Sequence, residues 1–268
     1  MRITQFQDAS GQIHLGDDQG GGIAEVLRGS LFSGLEATGE KLSIERRLVP
    51  YLPTNILCIG LNYRAHADET GIQYPEHPIL FMKPTSAISH PGHPISLPAC
   101  GTHEPEVDYE AELAVIIGRS ARNVSEADAL DYVFGYSCAN DISARHWQMH
   151  GGGGQWVRGK SFDTFCPFGP VIVTSDEIAD PQSLDIRCRL NGELMQDGNT
   201  ADMIFSIATL VSYLSQDTTL LPGTLILTGT PSGVGFTRTP PVYLKSGDHV
   251  EVEIEGIGAL TNPVFASS

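Results

Sequence analysis

Short apolar runs, most of them closed by Gly, Pro, Asn or Asp, recur along this chain and predict β-strands. They cover Ile56–Gly60, Ile79–Met82, Leu113–Ile117, Tyr132–Cys138, Val171–Thr174, Asp185–Leu190, Thr224–Thr228, Val242–Lys245 and His249–Ile254. Near the amino terminus, Arg2–Phe6 and Gln12–Gly16 flank the turn Asp8-Ala9-Ser10-Gly11 and predict a hairpin with Gly at its tip. Helical patterns are few and short: Asn62–Gly71 reads as one turn or two closed by Gly71, and two other stretches are the clearest. Ser125–Tyr132 has Ser125 as cap and Asp128 at the capping-box position, and Met203–Leu214 has an apolar face of Ile204, Ile207, Ala208, Val211 and Leu214. Strands and helices do not alternate, so the pattern predicts an α+β, mainly β fold rather than a doubly wound parallel sheet. Pro50 and Pro53 follow a polar, Gly-containing passage and mark a junction, dividing the chain into a small β-rich subdomain over 1–49 and a main domain over 50–268.

Composition narrows the class. With 268 residues, 41% of them hydrophobic, the chain can close a full core, and no apolar run approaches the ~20 residues a bilayer demands. A formal charge of -16 argues against nucleic acid and acidic membranes as partners. Cys58, Cys100, Cys138, Cys166 and Cys188 are odd in number and contain no C-x-x-C, which predicts free, mostly buried thiols in a reducing cytoplasm.

The chemistry concentrates where a row of acids meets an apolar strand. In Val107-Asp108-Tyr109-Glu110-Ala111-Glu112, strand alternation places Glu110 and Glu112 on one face about 6–7 Å apart, with Asp108 in the same row. Such a row entering a core must protonate, face water or share a cation, and its hard oxygens favour Mg²⁺, Mn²⁺ or Ca²⁺. Asp141 ends the strand Tyr132–Cys138 and is either a cap or the third carboxylate of such a site. Arg145 offers a fork to a substrate carboxylate or to a surface acid, and His66 with Glu69 at i,i+3 is either an exposed helix face or a base held by an acid. Thr228–Gly235 is a glycine-rich turn whose N–H groups form an anion nest or a tight hairpin. Gly154–Ser161 satisfies the phosphate-loop pattern, but a glycine run precedes it and Pro167 and Pro170 follow, so nucleotide binding is set aside. Lys160, between Trp156 and Phe162, remains a desolvated cation for an anionic substrate.

These segments together resemble the fumarylacetoacetate hydrolase superfamily over 50–268, through Cys58–Tyr63 with His66 and Glu69, Phe81–Pro84, Asp108–Leu113, Asn140–Arg145, Lys160–Asp163, Thr228–Gly235, Gly247-Asp248 and Gly256–Gly258. Gly153–Trp156 and Lys160–Pro170 look most like its short, domain-containing members. The resemblance implies a mixed β-sheet roll, a homodimer, and Mg²⁺ (or Mn²⁺ or Ca²⁺) held by Glu110, Glu112 and Asp141. It further implies a water-activating dyad of His66 and Glu69, an enolate-stabilising Lys160, and substrate contacts from Arg145, Gln148, Thr230 and Lys83. His146 departs from the family pattern, which has Asp after the matching Arg. The expected activity is C–C hydrolysis of an acylpyruvate-type 2-oxo acid through a metal-bound enolate. Oxaloacetate tautomerisation or decarboxylation, 2-hydroxy-dienoate isomerisation, and a silent metal-binding relative are the alternatives.

Overall fold

The computed structural model describes residues 1–100, 103–104 and 106–266. Among them, the strands that position the site are β1 (Arg2–Gln7), β2 (Asn55–Gly60), β3 (Ile79–Lys83), β4 (Ala111–Ile117), β5 (Val133–Asn140), β6 (Cys166–Thr174) and β7 (Thr224–Leu227). They run side by side in the order β1-β6-β5-β4-β7-β2-β3 within a 12-stranded mixed sheet. All seven residues of β4 are buried, since β4 lies between β5 and β7 and is covered on both faces, which is why its sequence is apolar without alternation.

β4 pairs antiparallel with β5 in the register Ala111↔Asn140 and Glu112↔Ala139, and antiparallel with β7. β7 in turn runs parallel to β2. The start of β4 therefore meets the ends of β5, β7 and β2 at one edge of the sheet, and the loops leaving those ends converge there. A second sheet of five strands, ordered Glu193–Asn199, Asp185–Leu190, His249–Ile254, Gly258–Ala266 and Ile95–Leu97, packs on the first to complete a β-rich roll. Its strands alternate as expected, with Val250, Val252 and Ile254 turned into the common core beside Leu113 and Val115.

Among the described residues, three short α-helices decorate the sheets: α1 (Arg64–Thr70), α2 (Val157–Lys160) and α3 (Ile207–Leu214). The helix predicted from Met203 begins only at Ile207, because Ser206 is extended and its hydroxyl accepts the N–H of Thr209 as an N-cap. Ser125–Tyr132 is a 3₁₀ segment over Glu126–Tyr132. Val242–Lys245, expected as a strand, has no strand pairing and is tied by single bonds, Val242 N–H to Gly235 O and Leu244 N–H to Val107 O.

The hairpin at the amino terminus forms between β1 and Ile13–Gly20, with Asp8 Oδ1 accepting the N–H groups of Ser10 and Gln12 in its turn. The polar passage after it folds as two further strands, Ile23–Ser30 and Gly34–Ser43. Their mostly exposed side chains gave no apolar alternation to read. β1 pairs with β6, so the strands of the amino-terminal segment continue the large sheet.

Candidate active site and metal centre

At the converging edge, the β4–β5 register brings three carboxylates together. Asp141, one residue past β5, donates its N–H to Glu110 O, and the Glu110 N–H is accepted by Asn140 Oδ1, so the backbones at 110 and 141 are locked across the pair. Glu110, Glu112 and Asp141 are all buried and each offers an oxygen within 4.8 Å of the others. Asp108 does not join them. It lies on a separate short strand, Val107–Asp108, that pairs with Ser143–Ala144, so the alternation expected from Asp108 to Glu112 is broken at Tyr109 and Glu110. Its Oδ1 accepts the Gly235 N–H at 2.8 Å and its Oδ2 binds Arg145 and the Phe236 N–H.

Cations surround this cluster unevenly. Lys160 Nζ bridges Glu110 Oε2 at 2.7 Å and Asp141 Oδ2 at 2.8 Å, and Lys83 Nζ pairs with Asp141 Oδ1. Arg145 spans Asp108 and Glu110, with Nη1 2.7 Å from Glu110 Oε1 and the guanidinium stacked on the Phe236 ring. Among the described residues, four buried carboxylates thus meet three cations, and Glu112 is the one whose oxygens no cationic side chain touches. Its Oε2 accepts only the Gly229 N–H, at 2.7 Å.

Burial, together with the charges of Asp141 and Glu110, lifts the Glu112 carboxyl well above its ordinary value. Burial also acts on Glu110, but Lys160 and Arg145 outweigh it and hold that carboxyl low. Burial would discharge Lys160, yet Asp141 and Glu110 raise its pKa and keep the ammonium charged. A hard divalent cation fits this donor set. Glu110, Glu112 and Asp141 would hold it, and it would supply the positive charge that Glu112 lacks, since oxygens already bound to cations keep free lone pairs.

Opposite this floor stands α1. His66 Nδ1 lies 3.1 Å from Glu69 Oε2, and Glu69 is itself anchored by the Gly233 N–H at 3.0 Å and the Thr237 hydroxyl at 2.8 Å. Burial pushes the Glu69 carboxyl up, but the hydrogen bonds from His66, Thr237 and Gly233 prevail and hold it below its usual value. The glycine-rich turn after β7 is a nest for the protein's own acids: Gly229 serves Glu112, Gly233 serves Glu69 and Gly235 serves Asp108. Glycine is required for these approaches, since a Cβ on Gly233 would lie 2.1 Å from Met195 O and one on Gly235 1.9 Å from Val242 O.

Between floor and roof lies a cavity of about 280 Å³. His66, Glu110, Glu112, Arg145, Lys160, Gln148 and Thr230 line it, with Phe81 and Trp156 on the apolar side. Glu69 stands behind His66. Lys83, expected to contact substrate, is instead fully buried behind Asp141 and absent from the lining, because its ammonium is taken up by Asp141 and by Ile142 O. The Gly154–Ser161 pattern has no strand before it and only the four-residue α2 within it, with Lys160 turned into the carboxylates. His146 packs against the rings of His103 and His150 at 4.5 and 5.7 Å and does not line the cavity. The roles of two residues that serve the site escaped the sequence reading. Asp108, as the partner of Arg145, had a signal in the acid row, whereas Gln196, bonded to Thr230, had none.

The fumarylacetoacetate (FAA) hydrolase C-terminal family pattern matches residues 55–265. Over 212 residues the chain is 51% identical to an oxaloacetate tautomerase of Xenopus laevis, an alignment that spans 79% of this chain and 66% of that protein. It is 43% identical over 290 aligned positions to an oxaloacetate tautomerase of Bos taurus, covering 98% of this chain and 91% of that one. The solved fumarylacetoacetate hydrolase of Exiguobacterium antarcticum superposes with a TM-score of 0.88 at 39% identity, with 100% of both chains covered. The cytoplasmic expectation is corrected by these relatives, since the frog and bovine proteins are named as mitochondrial. Free thiols report a reducing compartment and do not say which one.

Proposed function

The chain belongs to the fumarylacetoacetate hydrolase family, and from that premise we propose that it interconverts the keto and enol forms of a 2-oxo acid of the oxaloacetate kind, with Mg²⁺ held by Glu110, Glu112 and Asp141. The observation that carries this reading is the pairing, across one cavity, of the His66–Glu69 dyad with the Lys160-bridged carboxylates. When bound, the cation would polarise the carboxylate and 2-oxo group and stabilise negative charge developing there.

The chain's own residues do the rest. With Nδ1 tied to Glu69, His66 has Nε2 free to take the proton that leaves C3. Lys160, held charged by its two carboxylates, faces the developing 2-oxygen charge. Arg145, Gln148 and Thr230 orient the substrate carboxylate. The proton returns either to the 2-oxygen, giving the enol, or to C3, restoring the keto form.

C–C hydrolysis of an acylpyruvate, the activity expected from the sequence, is the second reading, favoured by the name of the Exiguobacterium structure. It requires in addition that His66 activate water against a distal carbonyl. The two tautomerase relatives support the first reading. A homodimer, twice the 28.8 kDa chain mass in sedimentation, completes the proposal.

A proton NMR time course with oxaloacetate and with acetylpyruvate, each with Mg²⁺ and with EDTA, tests it. Faster keto–enol equilibration of oxaloacetate, dependent on Mg²⁺ and without loss to pyruvate, is expected. Metal-dependent release of acetate and pyruvate from acetylpyruvate, with no effect on oxaloacetate, would replace it with the hydrolase reading.

A further inference from the structure

Gln196 lies on Glu193–Asn199 of the second sheet, fully buried and outside the cavity lining, yet it is wired into the site by three hydrogen bonds. Its Oε1 accepts the N–H of Ala111, the residue between Glu110 and Glu112, at 3.0 Å. Its Nε2 donates to Thr230 Oγ1 at 2.7 Å and to Pro231 O at 2.8 Å. These partners fix which end of the amide is which. A flipped amide would set its N–H groups against the Ala111 N–H and its oxygen against the Pro231 oxygen, losing those two bonds and leaving only the rotatable Thr230 hydroxyl as a partner.

The consequence falls on Thr230. Its hydroxyl oxygen is already an acceptor from Gln196, and among the described residues no acceptor takes its proton. Thr230 is 4% exposed, and the space left to it is the cavity it lines. We infer that Gln196 is a positioning residue that sets the direction of the Thr230 hydroxyl, so that Thr230 donates its proton to the substrate carboxylate. The same amide ties the backbone between the two glutamates to the turn that carries Thr230, so the second sheet sets the distance between the metal-binding row and the carboxylate-binding hydroxyl. Close packing of this strand on the turn agrees, because a Cβ on Gly198 would lie 2.6 Å from Pro231 Cβ. The inference rests on the proposed role of Thr230.

A double-mutant cycle on oxaloacetate tautomerisation at saturating Mg²⁺ tests it, with Gln196→Met, Thr230→Val and the double variant. Each single change is expected to raise KM about tenfold with a smaller effect on kcat, the size of one hydrogen bond to a charged group. The double variant is expected to stay within about twofold of Thr230→Val, because Gln196 acts through a hydroxyl that is no longer there. If the Gln196→Met effect appears in full again on the Thr230→Val background, Gln196 is merely structural and the inference falls. An unchanged KM in Gln196→Met also overturns it. An unchanged KM in Thr230→Val overturns the assigned role of Thr230, and the inference with it, while leaving the tautomerase reading standing; no turnover by the unmodified protein overturns that reading itself. Should Gln196→Met not fold, Gln196→Glu, which keeps the shape and the acceptor for Ala111, is run through the same cycle with the same expected coupling.

Discussion

Glu110, Glu112 and Asp141 are placed by the backbone register of two central strands, whereas His66 and Glu69 ride on a seven-residue helix tied down mostly by side chains. The floor is sheet. Its carboxylates are buried and each is fixed by a backbone N–H group or by cations that are buried in turn. The roof begins at Tyr63 with no side-chain cap of its own. Asp202 supplies one from outside by accepting the Ala65 N–H, and Glu69 is held by Gly233 and Thr237. Charge is thus gathered on the central strands, whereas the proposed base sits on a short helix held through loops at Asp202–Met203 and Gly233–Thr237. The two regions should therefore fail separately, and mutation can show whether they do.

The largest effect is expected from breaking the floor. Glu110→Ala with Glu112→Ala removes two of three candidate ligands and is expected to lower tautomerase activity by about 10³-fold or more. Calorimetric titration should show Mg²⁺ affinity lost with it. His66→Asn is expected to cost about 10²- to 10³-fold in kcat, the usual range for a general base, with Mg²⁺ affinity retained. Loss of metal affinity in this variant would mean that the regions are not separable.

Glu69→Gln weakens the hold on His66 and is expected to cost about ten- to a hundredfold in kcat. Its stability carries a pH signature whose sign follows from the lowered Glu69 pKa. A carboxyl depressed by folding stabilises the native state above its ordinary value of 4.5, and that contribution is lost as pH falls through the lowered folded value. The stability gap between the unmodified protein and Glu69→Gln in urea titrations should be full at neutral pH and should close in acid. The smallest effect sharpens the comparison without touching a side chain that does chemistry. Gly233→Ala puts a Cβ against Met195 O at a φ of +99°, and is expected to destabilise by about 1–3 kcal/mol while freeing Glu69.

How far the sequence disclosed these regions follows the same division. The floor was legible because β4 is a continuous apolar run with acids at its entrance, and Asp141 ends the strand that proves to be its neighbour. Pairing turned two distant strand ends into one site. The roof was legible as residue types, His66 and Glu69 at i,i+3, but spacing could not show that Glu69 would be drawn to Gly233, which is 164 positions away. Asp108 misled because period-two alternation assumes an unbroken strand, and the backbone leaves strand geometry at Tyr109 and Glu110. The Thr228–Gly235 turn was read as an anion nest or a tight hairpin, and the anions its N–H groups bind are the chain's own carboxylates. Lys83 was read from resemblance as a substrate contact and is spent on Asp141. Gln196 could not be read at all, since a single amide in a β-strand carries no local pattern and its role comes only from long-range packing.

The most direct test of the separation between floor and roof is the rate of oxaloacetate tautomerisation by His66→Asn, measured as a function of Mg²⁺ concentration beside the unmodified protein. The division predicts a maximal rate lowered about 10²-fold or more, with half-saturating Mg²⁺ unchanged. A variant whose half-saturating Mg²⁺ moves while its maximal rate recovers at high metal would contradict it, and would place His66 with the floor.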